Sequence, residues 1–160
     1  MGEILTWSDN LSVGIREIDE QHKKLVGMVN ELHAAITEHR GSAECRRILD
    51  QLAEYTRVHF AVEESLMSIL DYPGYESHRQ EHEKLVGQVV ELQQRLDAGK
   101  AAISFELLHF LKAWLTKHIL GSDKDYGKYF HERGITARWP ASEVLVPEKK
   151  KKGFWSFFGR

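Results

Sequence analysis

The chain has 160 residues, 42% hydrophobic and 29% charged, which is room for one domain with a real core and an ordinary globular composition. A formal charge of −2 excludes a strongly basic nucleic-acid binder. The single cysteine, Cys45, excludes an intramolecular disulfide and a zinc–thiolate site, and it fits a reducing compartment.

The first residues, MGEILTWSDN, have neither the basic nor the apolar region of a secretory signal. No apolar run approaches the roughly 18 residues of a membrane span, so a cytoplasmic protein is expected. Residues 1–15 read as an irregular lead-in. Four helical stretches follow. The first covers roughly 17–39, with Ile18, His22, Leu25, Val26, Val29, Leu32, His33 and Ile36 on one stripe. Gly41 is the expected stop and Ser42 the expected cap of the next. The second covers roughly 43–70 and turns Ile48, Leu52, Tyr55, His59, Val62, Glu63, Leu66 and either Ile69 or Leu70 inward. Asp71-Tyr72-Pro73-Gly74 breaks it. The third, roughly 76–97, carries His78, His82, Leu85, Val89, Leu92 and Leu96, and stops at Gly99. The fourth, roughly 104–131, carries Phe105, Leu108, Leu111, Leu115 and His118, then Tyr126 and Tyr129, and stops at Gly134.

Period-3.6 patterning with short connections predicts an all-α, up-down-up-down antiparallel four-helix bundle over residues 1–133. Residues 134–160 read as an extended C-terminal tail outside it, because Pro140, Pro147 and a lysine run break the pattern.

Polar groups interrupt the apolar stripes at His22, His59, Glu63, His78, His82 and His118, with Asp123 just beyond. Any one of them alone reads as a hydrogen-bonded core histidine or a chance pair. Together they need compensation that burial alone does not give. His22 and His78/His82 lie early in their helices, and His59/Glu63 and His118/Asp123 lie late, so alternating helices bring all seven to one end of the bundle. Five imidazoles and two carboxylates exceed the needs of one ion and suit two first-row ions bridged by the carboxylates. His118 and Asp123 are five residues apart, about 140° on an ideal helix, so this pair needs a local distortion or a side chain that reaches round. His33 lies about 16 Å along the helix from His22, too far to join them. His39, His109 and His131 read as surface or helix-end residues.

The segments VGIREIDEQH (13–22), HFAVEESLM (59–67), HRQEH (78–82) and WLTKHILGSD (114–123), with Trp7, resemble the bacterial hemerythrins, four-helix oxygen-binding proteins with a non-haem di-iron centre. The resemblance covers roughly residues 5–133 and implies two iron ions, cycling between Fe2+ and Fe3+, with an oxo or hydroxo bridge. It implies that His78, His82 and His118 hold one ion, His22 and His59 the other, and that Glu63 and Asp123 bridge. The first ion is then six-coordinate and the second keeps one open position for dioxygen. Glu64, about 100° round the helix from Glu63, is the poorer ligand. Leu115 and Ile119 match pocket-lining positions, Trp114 is a further wall candidate, and the three are expected to form a dry wall that slows autoxidation. The histidine-rich set favours reversible binding over oxidation of a substrate. The implied function is therefore an oxygen carrier, store or sensor rather than an enzyme. The alternatives are a di-iron enzyme consuming peroxide or nitric oxide, and an oxygen-responsive signalling adaptor acting through the tail.

The tail is the segment such a fold does not need. Residues 149–160 hold five of the 22 basic residues and none of the 24 acidic ones, which leaves residues 1–148 at −7. Lys149, Lys150, Lys151 and Lys152 adjoin Phe154, Trp155, Phe157 and Phe158. A solvated charge run accounts for the lysines but not for four aromatics beside them. The combination suits an anionic membrane surface, with about 1 kcal/mol per lysine, or a groove on a protein partner. Peripheral attachment at the inner membrane is the corresponding expectation.

Overall fold

Three long helices end by the same device. In the computed structural model, which describes residues 3–134, α1 spans Arg16–Thr37, α2 Ser42–Ile69 and α3 Tyr75–Asp97. After them His39, Asp71 and Gly99 take left-handed backbone, with φ of 53°, 53° and 71°. The N–H groups of Arg40, Tyr72 and Lys100 then reach back to the carbonyls of Ala35, Met67 and Arg95 at 3.0, 2.9 and 2.8 Å. The stop of α1 is therefore His39 and not Gly41. Histidine is among the side chains that enter the left-handed region most readily. Gly41 instead turns the chain into α2, and Ser42 is the first helical residue rather than its cap.

The fourth stretch is α4, Phe105–His118, which Ser104 caps by accepting from the Leu107 N–H at 3.4 Å. A π-helical turn, Ile119–Asp123, follows without a break, and α5, Lys124–Glu132, completes it. All boundaries fall within two residues of those expected from the pattern. No strand occurs among the described residues. Helix α1 lies against α2 and α4, and α2 against α3, an antiparallel four-helix bundle. No helix among the described residues is long and apolar enough to cross a membrane. The tail residues Lys149–Lys152 and Phe154, Trp155, Phe157 and Phe158 lie outside the described residues.

The core runs along the bundle through Leu25, Val29 and Leu32 of α1, Ile48, Leu49, Leu52 and Leu66 of α2, and Leu108, Leu111 and Leu115 of α4. Helix α3 contributes less: of its apolar residues only Leu85 is fully buried, and Val89, Leu92 and Leu96 are half-buried. Phe105, expected on the inward stripe, is 49% exposed and meets His33 edge to face, with ring centroids 6.3 Å apart. Leu70, half-buried, takes the inward place for which Ile69 also qualified, and Ile69 is 54% exposed.

The lead-in is tied down at both ends. Asn30 of α1 accepts from the Ile4 and Leu5 N–H groups at 3.0 and 3.1 Å and donates to the Leu5 carbonyl at 2.8 Å. Asp19 accepts from the Val13 N–H at 2.8 Å. Leu5, Leu11, Val13 and Ile15 are buried. Gly127 of α5 touches this segment so closely that a Cβ there would overlap the Val13 carbonyl oxygen. The lead-in therefore closes the end of the bundle where the polar residues gather.

Candidate metal centre

Seven polar side chains, none more than 5% exposed, converge at that end: His22 from α1, His59 and Glu63 from α2, His78 and His82 from α3, His118 from α4, and Asp123 from the π-turn. The π-turn answers the spacing problem. It closes i→i+5 rather than i→i+4, so a residue five positions on returns to nearly the same face. Asp123 Oδ1 accordingly lies 3.1 Å from His118 Nε2.

Each carboxylate divides its two oxygens between two groups of imidazoles. Glu63 Oε1 is 3.2 Å from His82 Nε2 and 3.8 Å from His78 Nε2. Glu63 Oε2 is 3.2 Å from His59 Nε2 and 3.3 Å from His22 Nε2. Asp123 Oδ1 faces His78 Nε2 at 2.9 Å, and Asp123 Oδ2 faces His22 Nε2 at 3.0 Å. Two overlapping donor sets result: Glu63, His78, His82, His118 and Asp123 in one, and His22, His59, Glu63 and Asp123 in the other.

Whether protons alone could hold this cluster together is decided by the hydrogen bonds. His22 Nε2, His78 Nε2, Glu63 Oε1 and both Asp123 oxygens are buried with no hydrogen-bond partner, although oppositely charged atoms stand within 4 Å. His82 Nε2 and His118 Nε2 are 3.0 Å apart. Their Nδ1 atoms meet Glu64 at 2.8 Å and Glu81 at 3.0 Å, so the Nδ1–H groups donate to those carboxylates and turn the two Nε2 atoms toward each other. Two ring nitrogens this close need a positive charge between or beside them, either a proton on one ring or a metal ion. The donor set, five imidazole Nε2 atoms and two split carboxylates, fits a metal site of first-row ions.

The electrostatics point the same way. Burial opposes the charge on His22, but the Asp123 and Glu63 carboxylates outweigh it and raise its pKa to about 10. Burial likewise opposes the charge on His82, and Glu63 and Glu64 raise it to about 9. At His59 burial wins and the pKa is lowered. Burial works to raise Glu63 and Asp123, yet the surrounding imidazoles hold both well below the usual carboxylate range. The pocket strongly favours positive charge among its donors.

Around the donors lies an aromatic and apolar sleeve. Phe60 stacks on His82 with centroids 3.6 Å apart and planes 3° apart, and Trp114 stacks on His118 at 4.4 Å and 16°. Leu115 and Ile119 are buried, and Trp114, stacked on His118, is half-buried. An apolar cavity of about 50 Å³ begins one turn below it, lined by Phe60, Trp114 and Leu115 and farther in by Leu25, Leu49 and Leu52.

Several residues escaped the sequence reading. Gln21 stands behind His59, its amide oxygen 2.6 Å from Nδ1. Glu64, passed over as a ligand, stands behind His82, and Glu81 stands behind His118. Tyr126, noted only as inward, donates its hydroxyl to Glu63 Oε2 at 2.6 Å. The one available signal was adjacency: Gln21, Glu64 and Glu81 each sit next to a donor in the chain. Of the remaining histidines, His33 is half-buried and His39, His109 and His131 are exposed, as expected.

Comparison with known proteins adds an independent line. A family profile, the hemerythrin HHE cation binding domain, matches residues 13–130. The bacteriohemerythrin of Stenotrophomonas maltophilia is 40% identical over 123 residues, covering 77% of this chain and 79% of its own. The bacteriohemerythrin of Pseudomonas aeruginosa is 36% identical over 162 residues, covering 97% of this chain and 98% of its own. Among solved structures, a wild-type hemerythrin superposes with a TM-score of 0.75 at 34% identity, over 78% of this chain and 96% of that one.

Proposed function

This chain belongs to the hemerythrin family, and we propose that its buried cluster holds two iron ions and binds dioxygen reversibly. His78, His82 and His118 with Glu63 Oε1 and Asp123 Oδ1 would hold one ion, and His22 and His59 with Glu63 Oε2 and Asp123 Oδ2 the other. The observation that carries this reading is the unequal division of donors, five against four, with both carboxylates shared. With one further shared ligand counted, the five-donor set would fill six positions about its ion and the four-donor set would leave one free for dioxygen. When bound, the iron pair supplies the two electrons that reversible dioxygen uptake requires.

The chain's own residues orient and shield. Gln21, Glu64 and Glu81 fix the tautomers of His59, His82 and His118, so that each Nε2 is turned to the centre. Tyr126 holds Glu63 in the orientation that presents one oxygen to each donor set. Leu115, Ile119, Trp114 and Phe60 exclude water, and the apolar cavity beneath them suits a small neutral gas better than an anion. We place the role with binding rather than catalysis. The centre is rich in imidazole donors, and the Tyr126 phenol beside it is occupied by Glu63.

The test is a metal count with optical spectra of anaerobically reduced protein before and after admission of air. Two irons per chain and a visible charge-transfer band that disappears on deoxygenation are expected. A single ion, or zinc alone with no colour in air, overturns the proposal.

A further inference from the structure

The hydrogen bonds behind the imidazoles divide along the same line as the donors. Behind the five-donor set stand two carboxylates. Glu64 Oε2 lies 2.8 Å from His82 Nδ1, and Glu81 Oε2 lies 3.0 Å from His118 Nδ1. Glu81 is anchored in turn by Ser122 of the π-turn, whose hydroxyl is 2.8 and 2.7 Å from its two oxygens. Behind the four-donor set no carboxylate stands among the described residues. His59 Nδ1 meets the neutral amide of Gln21, and His22 Nδ1 is buried without a partner.

An imidazole whose N–H is shared with a carboxylate acquires imidazolate character and becomes a stronger donor at its other nitrogen. An amide oxygen does this far less. The Glu64 and Glu81 side chains are 25% and 43% exposed, so water screens their through-space field, and their effect passes mainly through the hydrogen bond. The polarity is one-sided: two of the three imidazoles in one set are strengthened, and neither imidazole in the other.

Resting on the di-iron reading above, we infer that Glu64 and Glu81 are positioning residues that make the two metal sites electronically unequal. They favour the higher oxidation state at the three-histidine site and leave the two-histidine site as the electron-poorer, ligand-accepting one. Gln21 is the counterpart that keeps the second site weak. Ser122 links this asymmetry to the π-turn, because the turn that aims Asp123 also fixes the orientation of Glu81.

The experiment compares Glu64→Gln, Glu81→Gln and Gln21→Glu with the unaltered chain, all loaded with iron. Each substitution is close to isosteric, and Ser122→Ala serves as a second way to release Glu81. The readouts are the reduction potential and the Mössbauer spectrum of the one-electron-oxidised form. Loss of either carboxylate is expected to raise the potential and weaken the localisation of Fe3+ at the three-histidine site. Gln21→Glu is expected to lower the potential and make the two sites more alike. In zinc-loaded protein, the far-downfield Nδ1–H resonances of His82 and His118 should move upfield in the respective glutamine variants. Full iron occupancy with unchanged potential in both glutamine variants overturns the inference and leaves the di-iron reading intact. Fewer than two irons in the unaltered chain overturns both.

Discussion

Replacing Tyr126 by phenylalanine tests the cluster with one atom. The Tyr126 hydroxyl is 2.6 Å from Glu63 Oε2, and neither residue has any exposed surface. Glu63 Oε1 already lacks a hydrogen-bond partner, so losing the phenol strips the carboxylate of the one donor it receives from outside the imidazoles. The substitution keeps the ring and its packing against Phe130 and His78, so no cavity larger than an oxygen atom is left. A hydrogen bond to a charged group is worth about 1.5–3 kcal/mol, and that is the expected loss in the metal-free protein. For a domain of this size the melting temperature should fall by roughly 5–12 °C. Ions at the site satisfy Glu63 independently, so the iron- or zinc-loaded variant should lose distinctly less. Urea titrations and thermal melts of both forms measure the difference. Identical stability of metal-free Tyr126→Phe and the unaltered chain would refute the claim that Glu63 depends on this donor.

Leu115 stands beside the cluster at the head of the apolar cavity, so Leu115→Asn should retain two irons yet speed autoxidation, followed as loss of the oxygenated spectrum; an unchanged rate removes Leu115 from the wall. A Cβ at Gly127 overlaps the Val13 carbonyl, so Gly127→Ala should cost about 1–3 kcal/mol in urea unfolding as the lead-in is pushed off α5, and a neutral substitution contradicts that contact. In metal-free protein His22 and His82 titrate at about 10 and about 9 against an ordinary 6.5. Raised pKa values contribute stability that is complete below 6.5 and drains away as the pH climbs through 9 to 10. The melting temperature of metal-free protein should therefore decline between pH 7 and 10, and that of the loaded form, whose imidazoles are already neutral, should not. A flat metal-free curve speaks against the ion pairs.

The helices and the donors were legible in the sequence for one reason: both are properties of spacing along a single helix. His59/Glu63 and His78/His82 share a face because they are four apart, and alternation of direction brings early and late residues together. The five-residue step from His118 to Asp123 called for either a distortion or a side chain that reaches round, and the structure takes the first course, a π-turn. What stayed hidden depends on contacts between helices. That Glu81 serves His118 on α4, rather than the adjacent His82, follows from the facing of α3 against α4, which no periodicity encodes. Glu64 was set aside because it faces about 100° away from Glu63, and that angle is what lets it reach the back of His82. The half-buried state of Val89, Leu92 and Leu96 also escaped the pattern, because an apolar stripe tells which face turns inward and not how tightly the neighbouring helix closes over it.

The π-turn carries a lesson for anyone who would make this scaffold sturdier. Regularising Ile119–Asp123 into an unbroken α-helix of the same length is the obvious optimisation of the irregular turn in the fourth helix. It would swing every later side chain by about 100°, carrying Asp123 off its oxygen-sharing post and Tyr126 away from Glu63 together. The most ideal fourth helix would be one that had lost its carboxylate from the buried cluster, so this defect is where sturdiness and chemistry are traded against each other.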